Sequence, residues 1–268
     1  MRTEHYAIHT TTNNTALLRD LTIELEKAHA ACEQLAPTVA ATFGDPAGKV
    51  APMAAYVFAF RNEFQDHIKA TTGPRAETYL KIQKGGYALD DTFVTYFHGD
   101  GQTLSVCRHE ALHQYIDVHF RQRPPAFMEE GLATLFERGL VGGTIWSPAM
   151  DNNRRTRLIE AARVKRLWPL SRLMNMNAGH VIGGGGAQID TFYAQAWALA
   201  FFLVSSPQYQ DGFQQLLSDY ATGQVRATSH LEALLTATGV TEDELSSDYA
   251  DFVHELVSPA ASSTQGQP

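Results

Sequence analysis

The sequence is poor in cysteine: Cys32 and Cys107 are the only two among 268 residues. That excludes a disulfide framework. Two buried thiols are the expected state, with one disulfide in an oxidising compartment as the alternative. Long apolar runs are also missing. The longest, Ala196 to Val204, is nine residues, which suits a buried helix or strand, so no transmembrane helix is expected. The segment Met1-Arg2-Thr3-Glu4-His5-Tyr6 lacks a basic stretch followed by an apolar one. It does not read as a signal peptide; localisation stays open, exported (periplasmic or extracellular) if a leader was removed and otherwise cytoplasmic. No lysine or arginine run is present, and 21 basic residues stand against 29 acidic ones, a net charge of −8. Nucleic acid is therefore not the expected partner.

What remains is an ordinary globular composition, 44% apolar, 10% aromatic and 19% charged, on a chain long enough to bury a core without staples. Residues 5–10 alternate like a strand. Apolar positions at helical spacing run from Thr15 to Thr42, with Asn14 as N-cap and Gly44 as stop. A strand over 50–60, a helix over 62–71 and a hairpin around Asp90-Asp91 within 85–98 complete the first hundred residues. Helical patterns then dominate: 103–120, 127–137 after Pro124-Pro125, 155–167, 191–204, 208–220, 231–238 and 242–256. No repeat is evident. The expectation is an α+β fold, with a mixed strand/helix lobe over 1–100 and a helical lobe over 101–257. A disordered tail is expected over 258–268.

Within the helical half stands Arg108-His109-Glu110-Ala111-Leu112-His113, which contains His-Glu-x-x-His. On a helix, His109 and His113 project from one face a turn apart. Their imidazoles can share one Zn²⁺, while Glu110 beside them serves as general base for water. So short a motif occurs by chance in roughly a few per cent of chains this long, and the bland alternative is a surface helix with incidental histidines. Against it, Leu104, Cys107, Ala111, Tyr115 and Val118 form one apolar stripe, and Leu112, Ile116 and Phe120 another. Such a helix is buried, and buried polar groups need partners. A third ligand is sought downstream. Glu130 lies 17 positions after His113, room for the rest of the helix, a turn and the start of an antiparallel one. Glu129 is the alternative, although a solvated first-turn glutamate fits Glu129 better. Gly131 and Ala133 would allow close helix approach.

With His109-Glu110-x-x-His113 followed by Glu130-Gly131-Leu132-Ala133, the chain resembles the gluzincin zinc metallopeptidases, and more closely the peptidase-MA-like proteins. The likeness extends to Tyr6–Thr10, Val57–Phe64, Gly86-Tyr87 and Tyr193–Leu199. It implies a zincin-like fold with a metal cleft between the lobes, Zn²⁺ as cofactor held by His109, His113 and Glu130, and Glu110 as base. A peptide or protein is the implied substrate, cut by metal-activated water. Peptide hydrolysis also needs an oxyanion donor. Tyr193 is the candidate from the resemblance, with a core tyrosine as the plain alternative and His180 as a second donor. Asp117, one turn past His113, could orient an imidazole. Gly85-Gly86-Tyr87-Ala88 could be an edge strand that aligns an extended substrate. The run Gly183–Gly186 is not a phosphate loop, since no Lys-Ser/Thr follows; a connector is expected. Arg154, Arg155, Arg157, Arg163, Lys165 and Arg166 read as a solvated or salt-bridged face, with the grip of a substrate carboxylate as a minor alternative. A non-catalytic zinc-stabilised protein and a peptide-binding module remain open readings; Glu110, which a structural site does not need, favours the enzyme.

Overall fold

The structure, a computed structural model, describes residues 1–37, 51–139, 143–176 and 185–258. Alternating apolar residues place four short strands in one sheet: β1 (Tyr6–Thr10), β2 (Met53–Phe58), β3 (Gly86–Leu89) and β4 (Thr92–Tyr96). The order is β1-β2-β4-β3, with β1, β2 and β4 parallel and β3 antiparallel at one edge. The β3–β4 hairpin turns at Asp90, whose φ of 55° is a left-handed conformation aspartate tolerates.

Two strands joined in parallel need a crossover. The first is α1 (Thr15–Leu35), whose start is capped by the Asn14 side chain accepting from the Leu17 amide. It ends at Leu35 rather than at the expected Thr42. Ala36 leaves helical geometry with φ −141° because it precedes Pro37, which disfavours the α conformation in the residue before it. Gly44 lies outside the described residues. After β2 comes α2 (Arg61–Thr71), then a 3₁₀ turn over Gly73–Arg75 and the short α3 (Ala76–Tyr79), neither of which the apolar pattern reveals.

The rest is helical: α4 (Asp100–His119), α5 (Ala126–Glu137), α6 (Asn152–Arg163), α7 (Leu170–Met174), α8 (Gly186–Ser205), α9 (Pro207–Thr222), α10 (His230–Thr238) and α11 (Glu242–Val257). Pro125 precedes α5 as its N-cap residue. Helix α6 starts at Asn152, ahead of the expected Arg155, because Asp151 caps it, and it closes before Lys165, whose φ is +53°. The short α7 is not evident in the apolar pattern. Helix α8 starts five residues ahead of Thr191, so Tyr193 lies two turns inside a helix instead of opening one. The tail beyond Ser258 lies outside the described residues.

One apolar core runs through the chain. The inner sheet face (Tyr6, Ile8, Met53, Ala55, Val57, Phe93) packs with α1, α4, α5 and α8, and the same cluster continues through α9, α10 and α11. A smaller cluster, Phe64, Ile68, Tyr87, Val94 and Tyr96, seats α2 on the outer face. Both cysteines are free and buried in the larger core. No helix among the described residues is long and apolar enough to cross a membrane.

Candidate metal centre

Helix α4 is buried nearly all round. Cys107, Arg108, Glu110, Ala111, Leu112, His113, Gln114, Tyr115 and Ile116 are all buried, as its two apolar stripes required. Among the described residues its buried polar side chains find partners, Gln114 Oε1 excepted. Arg108 donates to the carbonyls of Phe136 (2.9 Å) and Glu137 at the end of α5 and to Glu24 (3.1 Å) on α1. Those carbonyls are the negative end of a helix, where a cation is favoured. Arg108 thereby holds α5 against α4.

That contact brings three ligand atoms to one point. His109 Nε2 and His113 Nε2 lie 3.1 Å apart, and Glu130 Oε2 lies 3.5 Å from the first and 3.6 Å from the second. A tetrahedral ion with bonds of about 2.0–2.1 Å separates its ligand atoms by roughly 3.3–3.4 Å, so the triangle has the size of one face of such a site. Among the described residues Glu130 Oε2 is buried without a conventional hydrogen-bond partner, and a buried carboxylate oxygen is costly when unpaired. Two imidazoles and a carboxylate are zinc-type donors. His109, His113 and Glu130 thus fit a divalent ion. A second group, Glu4, His5 and Glu26, also brings ligand atoms close. There, however, Glu26 already accepts from the His5 amide (3.0 Å) and pairs with its ring (2.6 Å), and Glu4 is exposed.

The other ring nitrogens are also taken. His109 Nδ1 pairs with Glu137 at 3.0 Å and His113 Nδ1 with Glu129 at 2.6 Å. A carboxylate on Nδ1 fixes the tautomer with its Nε2 lone pair toward an ion. Glu129 therefore sits behind His113 and is not a third ligand. Arg123, from the α4–α5 turn, grips Glu129 (2.6 and 2.7 Å) and Asp117 (2.7 Å). Asp117 meets no imidazole directly: it steadies Arg123, which steadies Glu129. The carboxylates make the point favourable for positive charge. Burial opposes a charged His109, but Glu130 and Glu137 outweigh it and raise its pKa to about 9. His113 is raised likewise by Glu130 and Glu129, against burial.

Glu110 is 6% exposed and lines the same cleft. Burial pushes its carboxyl above the usual range, with the charges of His109 and His113 opposing. Gly86 of β3 lies over it: a Cβ there would stand 3.0 Å from Glu110 Cγ and 2.6 Å from the Val94 carbonyl oxygen. Glycine at 86 is thus required for the strand to approach α4. β3 is an edge strand, as expected, and Gly85 to Ala88 line the cleft.

Tyr193 of α8 is brought to the site. It lines the same cleft as Glu130, whose charge, then burial and the charge of Glu110, push the pKa of its hydroxyl well up, so it stays protonated. Gly131 makes this possible. The glycine faces α8, not α4, and a Cβ on it would stand 2.5 Å from the Ala196 carbonyl oxygen. His180 lies outside the described residues, as do Gly183 and Gly184; Gly185 (φ +82°) precedes α8 and Gly186 opens it.

The basic cluster is not one solvated face. Arg154 turns inward to Glu137 (2.8 and 3.0 Å) and over the Tyr193 ring. Arg155 donates to the carbonyls of Leu256 and Ser258. Arg157 pairs with Glu160 at 2.9 Å on the surface, and Arg163, Lys165 and Arg166 are exposed. Sequence reasoning missed Glu137 and Arg123, and it placed Arg154 in the basic cluster without its contacts to Glu137 and Tyr193. Glu137 lies 28 residues from His109, and no spacing rule couples them. Only their place at the ends of two packed helices could have signalled it.

The whole forms a cleft of about 1150 Å³, with α4 as floor, β3 and the segment before it as one wall, and α6 and α8 as the other. No curated protein and no solved structure matches the chain. Residues 103–223, which include His109, Glu110, His113, Glu130 and Tyr193, match the model of a family described as a protein of unknown function, DUF1570.

Proposed function

We propose that this chain is a zinc-dependent peptidase of gluzincin type. The observation that carries the reading is the convergence of His109 Nε2, His113 Nε2 and the buried Glu130 Oε2 on one point of a cleft, with the buried carboxyl of Glu110 beside it. His109, His113 and Glu130 would hold the ion. A bound Zn²⁺ supplies Lewis acidity, polarising a carbonyl and making water easier to deprotonate.

The rest of the chemistry falls to the chain's own residues. Glu110 takes a proton from the attacking water as its oxygen bonds to the carbonyl carbon. It then returns that proton to the leaving amide nitrogen as the C–N bond breaks. The products are a carboxylic acid and an amine. Burial lifts Glu110 toward the range in which one carboxyl can both accept and return a proton. Tyr193, kept protonated, donates to the oxyanion formed in between. β3 lies at the sheet edge and lines the cleft wall, a place that suits an extended peptide added as a further strand.

The test starts with elemental analysis. Purified protein should carry about one zinc per chain, and His113→Ala should lose it. Glu110→Gln should keep the zinc and lose cleavage of a peptide library. Zinc-loaded protein that cuts no peptide, yet melts when chelated, would instead favour a zinc-stabilised fold without catalysis. Turnover retained in Glu110→Gln would refute the role given to that residue.

A further inference from the structure

Arg154 stands where the two halves of the proposed site meet. It lies in the first turn of α6, and its backbone is pinned: buried Asp151 accepts from the amides of Asn153 and Arg154. From there its Nη2 reaches both oxygens of Glu137 on α5, at 2.8 and 3.0 Å. Glu137 in turn holds Nδ1 of His109 at 3.0 Å. The same guanidinium has its Cζ 5.3 Å from the ring centroid of Tyr193 on α8, within the range of a cation–π contact. The side chain is 23% exposed and lines the cleft, so these contacts are partly shielded from solvent. Arg123 makes the matching contact to Glu129 on the His113 side. Arg154 adds to its own pairing a hold on the tyrosine.

We infer that Arg154 is a positioning residue that couples the orientation of His109, through Glu137, to the placement of the Tyr193 hydroxyl. The inference rests on the peptidase reading of this site. The planar guanidinium suits both roles, since it can pair with a carboxylate while lying over an aromatic ring, which the point charge of lysine does poorly. Without it, Glu137 loses its cationic partner and the Tyr193 ring loses its cap. Helices α5, α6 and α8 would then no longer share one fixed point above His109.

The experiment uses the full chain loaded with Zn²⁺ or Co²⁺, with chelator competition, the Co²⁺ absorption spectrum and acetohydroxamate binding as readouts. Arg154→Met should weaken metal binding about 10- to 100-fold, the usual cost of losing an outer partner of a ligand, and should change the Co²⁺ spectrum. Glu137→Gln should do the same, and the double variant should lose little more than either, because Arg154 acts through Glu137. Tyr193→Phe should weaken acetohydroxamate binding in the wild type and have little further effect in Arg154→Met. Should Arg154→Met fold poorly, Arg154→Lys carries the test: it should still lose the Tyr193-dependent share of hydroxamate affinity. Metal affinity and Co²⁺ spectrum within twofold of wild type in Arg154→Met would overturn the inference. So would losses simply additive with those of Glu137→Gln and Tyr193→Phe. A wild type that takes up neither ion overturns the peptidase reading and this inference together.

Discussion

Replacing Gly131 by alanine should separate the helices that assemble the site. Gly131 lies on α5 beside Glu130 and faces α8 three residues past Tyr193, at Ala196. A methyl there would stand 2.5 Å from the Ala196 carbonyl oxygen and 2.9 Å from Ala200 Cβ, against about 3.4 Å for ordinary contact. The nearest pair is short by up to about 0.9 Å (3.4 − 2.5), and its other member is helix backbone, which cannot rotate away. Overpacking of this kind costs about 1–3 kcal/mol. The alanine recovers up to about 1 kcal/mol through its higher helix propensity. From the middle of the overpacking range, about 2 kcal/mol, less that gain, the net expectation is a loss of about 1–2 kcal/mol. At roughly 2–4 °C per kcal/mol for a chain of this size, Tm should fall by about 2–8 °C in a calorimetric scan of chelator-treated protein. The same displacement moves Glu130 and Tyr193 apart, so zinc affinity should fall as well. An unchanged or higher Tm would refute the claim that Gly131 is there for close approach. A lower Tm with unaltered zinc affinity would refute its link to the site.

Two further outcomes are expected. Arg108→Met removes the donor to two carbonyls at the end of α5 and a partner of Glu24. It should cost about 2–3 kcal/mol in urea unfolding, and a loss below about 0.5 kcal/mol would sink the proposed α4–α5 tie. His29 is 6% exposed, and burial, aided by His5 and His119, lowers its pKa to about 4. The unfolded chain binds that proton first, so stability present above pH 6.5 is lost as pH falls toward 4. Between pH 7 and 4.5, His29→Gln should lose about 2 kcal/mol less than wild type; parallel losses in the two proteins would show that His29 does not drive the acid limb.

Much of this was legible in the sequence because local physics dictates it. The four-residue spacing of His109 and His113 on a helix apolar on most sides already puts both rings on one face. Asn14 marks the start of α1, Pro124-Pro125 the start of α5 and Asp90-Asp91 the hairpin, each through a side chain or ring that acts on its own backbone. Where boundaries slipped, the cause was equally local: Ala36 before Pro37 stops α1 early, and Asp151 starts α6 ahead of its apolar pattern. Glu130 could be singled out by a spacing that allows a turn and an antiparallel helix.

Tertiary structure alone decided the rest. Glu129 and Glu130 are adjacent and chemically alike, and only the rotation of α5 about its axis, set by Gly131 against α8 and by Arg108 at its end, sends one toward the Nε2 atoms and the other behind His113. Helical spacing puts Asp117 too near the imidazole, because one turn along the helix does not reveal that Arg123 stands between. Glu137 carries no sequence signature, and Arg154 only that of a basic cluster: they matter because the end of α5, the first turn of α6 and the middle of α8 meet near His109. Spacing along one helix is a property of the backbone, and the sequence determines it. Which side chains face one another across three helices depends on packing summed over the whole core, and no window of sequence contains it.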